Sequence, residues 1–151
     1  MTPTREAYRF LAVEWSQRGK QFLGAAVLLH QRVGSTYVVA HLIAQGVELL
    51  GKSYLLWVDP DITCSKLRRI GHDLVKLNDR LAPHLGEHWA QQGRSSLSEL
   101  DELFKRHALR YADLNEFILA PPNIPDCSVI LKHLKVLLRL AVRYRVWQFE
   151  M

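Results

Sequence analysis

AHLIAQGVELLGKSYLLWVDPD, residues 40–61, is apolar around almost the whole circumference of a helix. His41, Gln45, Glu48 and Lys52 interrupt it at steps of four, three and four. At about 100° per residue those steps return to nearly the same angle, so the four polar side chains form one narrow stripe. A helix so apolar elsewhere must be enclosed by other helices. The stripe must then face water, a second subunit or a ligand cleft. Glu48 and Lys52 stand four apart and can pair with each other, which lowers the cost of partial burial. A salt-bridged structural stripe is the favoured reading, with a dimer or ligand cleft as the alternative.

The apolar run over 37–58 is long enough to cross a bilayer. Two charges and two further polar groups near its middle would each be expensive in hydrocarbon, and the later segments are amphipathic in the ordinary way. No membrane span is therefore expected. The chain has 151 residues, 48% of them hydrophobic and 23% charged, which suits one domain over 1–151 with a real core. Cys64 and Cys127 form no CxxC pair, and no secretory segment is read at the N-terminus. Free thiols in a reducing cytoplasm are expected. The net charge of +5 permits contact with nucleic acid without requiring it.

Upstream of the opening stretch, Thr2 or Thr4 can cap a helix with Pro3 in its first turn, and apolar residues recur at helical spacing up to Val33. Gly19 reads as a weak point or break in it. Gly34 supplies a stop, and Ser35 or Thr36 can cap the helix that follows. Downstream, Pro60 ends the apolar helix. A short turn leads through CSKLRRIGHDLVKLNDRL, where Gly71 permits an unusual backbone angle and Asp73 is a possible cap. Leu74, Leu77, Leu81 and Leu85 then mark an apolar edge. SLSELDELFKRHAL, from Ser96, has an acidic start and a basic end, as the helix dipole favours. APPNIPD is a rigid connector, and a last helix runs from about Asp126 to Gln148. No strand is convincing, so the fold class is an all-α bundle of four to five helices.

Lys132, Lys135, Arg139 and Arg143 follow steps of three, four and four along the last helix, opposite Ile130, Leu134, Leu137, Leu138, Ala141 and Tyr144. A solvated face is the plain reading, and a phosphate-binding track for nucleic acid or a nucleotide is the functional one. HLGEH, His84 to His88, matches the spacing of inverted zinc proteases. Gly86 weakens the helix that would present it, and nothing marks a third ligand, so no metal or other cofactor is expected. His72 and Asp73 are the remaining candidate pair, with Asp73 most simply a cap.

Gln45, Glu48, Leu49 and Lys52 are followed by Gly71, His72, Asp73 and Leu74, and LRYAD (109–113) precedes the last helix. In that order and separation the chain, over about 16–148, resembles the HEPN family (higher eukaryotes and prokaryotes nucleotide-binding domain). The resemblance implies a helical bundle, a homodimer, and a bacterial defence, toxin–antitoxin or nucleotidyltransferase-partner setting. Many relatives of that kind are metal-independent ribonucleases marked by Arg, four to six residues, then His. This chain departs from that pattern, because Arg68 and Arg69 lie too close to His72 and no other pair has the spacing. The expected function is a binding or assembly module. The alternative is a divergent ribonuclease in which His72 moves the proton of the RNA 2′-hydroxyl and Arg68 or Arg69 steadies the phosphorane.

Overall fold

The computed structural model describes residues 4–32, 36–105, 125–132 and 134–135. Five helices follow in order: α1 (Arg5–Gln31), α2 (Thr36–Val58), α3 (Cys64–Ile70), α4 (Leu74–Leu85) and α5 (Glu87–Lys105). A sixth helical stretch, α6, covers 127–132 and 134–135, and there is no strand among the described residues. The architecture is all-α, as the periodicity implies.

α2 is the axis of the bundle. Fourteen of its 23 residues are buried, which leaves it no broad solvent face. It packs against α1, α4 and α5. Its first half joins Leu23, Leu100, Phe104, Ile130 and Leu134 in one core, and its second half joins Tyr8, Ile62, Leu67, Leu77 and Leu81 in another. No helix among the described residues is long and apolar enough to cross a membrane. Cys64 and Cys127 are both free thiols, and burial followed by the nearby Asp126 charge pushes the Cys127 thiol up.

α1 begins at Thr4, whose Oγ1 accepts the Ala7 N–H at 3.3 Å. Gly19 does not break it. The helix continues through that position to Gln31, and Gly19 marks where α1 and α2 cross. A Cβ at Gly46 would stand 2.6 Å from Leu23 Cγ and 3.1 Å from the Gly19 carbonyl oxygen. One at Gly19 would stand 2.8 Å from Leu50 Cγ and 3.1 Å from the Gly46 oxygen. Two glycines thus let the backbones approach more closely than any side chain would allow. Gly34 and Ser35 lie outside the described residues.

Asp59 closes α2 ahead of Pro60. Its Oδ1 accepts the Asp61 N–H at 3.0 Å while its Oδ2 takes Arg80 Nη2 of α4, also at 3.0 Å. α3 is a single seven-residue helix capped by Thr63, where the sequence reads as a turn. α5 starts at Glu87, well before Ser96, because Trp89 and Gly93 extend the buried face backwards along the chain. Gly86, at φ 91°, separates α4 from α5. HLGEH is therefore split, with His84 in the last turn of α4 and Glu87 opening α5. Among the described residues no group of three or more His, Cys, Asp or Glu could hold a metal ion. α4 and α5 are locked by Asn78, which is buried and donates from Nδ2 to the Ala90 carbonyl at 3.1 Å.

On α6, Cys127, Ile130 and Leu134 are buried while Lys132 and Lys135 are exposed, so the described part of the last helix is amphipathic. Arg139, Arg143 and the rest of that helix lie outside the described residues, as do LRYAD and most of APPNIPD.

Candidate functional site

The polar stripe of α2 divides according to what packs over it. His41 is half-buried, its ring 6.2 Å from that of Phe104. Gln45 borders an open groove between α1 and α2, together with Arg18, Gln21 and Phe22. Glu48 and Lys52 are buried and bonded to each other, Lys52 Nζ to Glu48 Oε1, at 2.6 Å. Both also reach the turn between α3 and α4. Lys52 Nζ donates to the Gly71 carbonyl at 2.7 Å, and Glu48 Oε2 accepts from His72 Nδ1 at 2.9 Å. A carboxylate can only accept, so Nδ1 carries the proton.

Why that turn stands there follows from its own residues. Gly71 ends α3 at φ 60°, a conformation that side-chain-bearing residues rarely adopt. Asp73 then caps α4 by accepting the Lys76 N–H at 2.7 Å. From the other side α5 supplies a second acid and lysine at the same spacing. Asp101, buried, takes the Leu74 N–H at 2.5 Å. Lys105 binds Asp101 at 2.6 Å and Asp73 at 2.9 Å. Phe104 sits in the same wall and meets the His72 ring edge-on, with centroids 5.5 Å apart.

The segment Gly71–His72–Asp73–Leu74 is thus held between two acid–lysine pairs, one from α2 and one from α5. Sequence reasoning finds the first pair and the turn. It misses Asp101, Phe104 and Lys105, reading Asp101 as a first-turn acid of a helix that in fact begins at Glu87. The repeated i, i+4 spacing of acid and lysine on α5 is the signal in the sequence that points to them.

Arg68 and Arg69 occupy exposed positions on α3. Arg69 lines a groove between α3 and α4 whose walls do not include His72. His72 itself keeps its side chain 45% exposed. Lys132 and Lys135, the described part of the cationic line, are exposed on α6.

Burial works against the charge of Asp73, but the Lys76 backbone N–H and the Lys105 ammonium outweigh it and hold the carboxyl below its ordinary value. Lys105 is pushed up, first by its bond to Asp101 and then by that to Asp73. A carboxyl depressed in the folded state stabilises above its unfolded pKa of about 3.9, and that contribution is lost as pH falls through the folded value. Urea midpoints should therefore drop in the acid range below about pH 4. Asp73→Asn keeps a capping side chain and should flatten that part of the profile; an unchanged acid limb in the variant would remove Asp73 from the account.

No protein-family model matches the chain, and neither a curated protein nor a solved structure matches it.

Proposed function

We propose that the chain is a HEPN-like helical binding and assembly module, paired as a homodimer, in a bacterial defence or toxin–antitoxin setting. One observation carries this reading: the two short motifs behind the resemblance meet in space. Glu48 and Lys52 of the first bond to His72 and Gly71 of the second. Both motifs are thereby used to join helices, which explains their presence without the ribonuclease spacing. Its partners in this reading are nucleic acid or nucleotide at the cationic line of Lys132, Lys135, Arg139 and Arg143, or a nucleotidyltransferase-type protein. It works in the cytoplasm and without a cofactor.

A second reading keeps catalysis. With Nδ1 donating to Glu48, a neutral His72 ring carries its basic lone pair on the other nitrogen, as a general base requires. In that divergent ribonuclease Glu48 orients His72, and Arg68 or Arg69 supplies the cation.

One experiment separates them. Structured and unstructured RNA are incubated with the protein in chelator, beside His72→Ala. The module reading expects no cleavage by either protein and salt-sensitive RNA binding that weakens in Lys132→Gln/Lys135→Gln. Cleavage that disappears in His72→Ala would overturn it in favour of the enzyme.

A further inference from the structure

A groove of about 460 Å³ opens on α3 and α4, and it shares no lining residue with the His72 turn or with the α6 face. Four of its lining side chains are cations, Lys66, Arg69, Lys76 and Arg80, against a single acid, Asp79. The neighbours of these groups decide how much of the charge is free. Arg80 is met by Asp59 at 3.0 Å, and Asp79 is met by Arg94, from outside the groove, at 2.6 Å.

The other three form no ion pair among the described residues, although the Lys76 charge also acts on the nearby Asp73 carboxylate. Lys66 Nζ donates to the Asp61 carbonyl at 2.8 Å, and Lys76 Nζ donates to the Arg69 carbonyl at 3.0 Å. A carbonyl positions an ammonium but leaves its full charge and its remaining donors in place. Arg69 forms no ion pair among the described residues, and its planar guanidinium suits two phosphate oxygens at once. Ile62 and Ile70, both buried, provide an apolar floor that limits hydration beneath the charges.

The extent of the cationic patch indicates the size of its ligand. Asp59 and Asp61 lie just before the groove and Asp79 stands in its wall. An extended polyanion would have to run past those carboxylates, whereas a compact one can rest against Lys66, Arg69 and Lys76, with Asp79 already paired to Arg94. We propose that this groove binds the phosphate chain of a small molecule, either a nucleoside polyphosphate or free polyphosphate. Lys66 and Lys76 act there as positioned point charges and Arg69 as the bidentate donor. The proposal does not rest on the module reading above, which concerns other residues.

Calorimetric titration with ATP and with inorganic tripolyphosphate, without metal, tests it. Both probes should bind, and more weakly as salt rises from about 50 to about 200 mM. Lys66→Gln/Arg69→Gln should weaken both roughly tenfold or more, while Arg18→Gln/Arg32→Gln, at exposed cations of α1 and its C-cap outside the groove, leaves them unchanged. Lys66 and Arg69 are exposed, so the fold should survive, and circular dichroism checks this. Arg69→Lys keeps the charge without the fork and should fall between the two. ATP binding tighter than tripolyphosphate places the nucleoside on the isoleucine floor. Equal binding assigns recognition to the phosphates alone. The proposal is overturned if neither probe binds at millimolar concentration, or if the α1 control variant loses as much as the groove variant. Single-stranded RNA that binds through Lys66 and Arg69 more tightly than either small probe would also overturn it.

Discussion

Glu48→Ala should destabilise the protein by about 3–5 kcal/mol, the range for removing one partner of a buried ion pair. Lys52 is only 8% exposed, and without Glu48 its ammonium keeps a single carbonyl partner, that of Gly71. His72 loses its acceptor in the same step. For a chain of this size the loss corresponds to a fall in Tm of about 6–20 °C, and it is a large share of the stability such domains possess. Lys52→Ala should cost a similar amount, because it strands the carboxylate instead. Glu48→Met/Lys52→Met removes both charges and should cost less than either single change. Chemical denaturation of the four proteins closes the cycle. Single variants that lose less than about 1 kcal/mol would show the pair to be solvated, against its burial beneath the Gly71 turn.

The second large effect is steric. Gly46→Val should cost about 3 kcal/mol, at the upper end of the overpacking range. One of the atoms a Cβ would meet, the Gly19 oxygen at 3.1 Å, belongs to a backbone that cannot rotate aside. Leu23, at 2.6 Å, would have to leave its place in the core. Gly24 is the control: it lies on α1 beside that crossing, and a Cβ there would meet nothing within 4 Å. Gly24→Ala should stabilise by roughly 0.5–1 kcal/mol, through helix propensity alone. If both substitutions moved the denaturation midpoint in the same direction, close approach of the helices would not be the reason for Gly46.

These two cases mark what the sequence discloses. The all-α class, the central helix and the pairing of Glu48 with Lys52 are legible because each depends on spacing within one segment. The Gly71 turn and the Asp73 cap are legible for the same reason, since both answer to local backbone chemistry. Gly19 reads as a break because propensity describes an isolated helix, whereas its use depends on a partner helix that no local pattern names. The use of Asp101 is hidden because its partner, the Leu74 N–H, is 27 residues away. The start of α5 is hidden because its first turns are polar apart from Trp89, so the periodicity is weak there. The groove on α3 and α4 depends on which carbonyl each lysine reaches, and composition carries no trace of that.

The crossing of α1 and α2 has a consequence for the order in which the molecule assembles. Four residues separate these two helices in the chain, whereas the acid–lysine pairs tie Glu48 to His72 and Leu74 to Asp101. Closing the shorter loop sacrifices less chain entropy, so the glycine-notched hairpin is the natural nucleus and the turn docks onto it afterwards. Variants at Gly46 should then slow refolding, while variants at Glu48 should leave refolding nearly untouched and hasten unfolding.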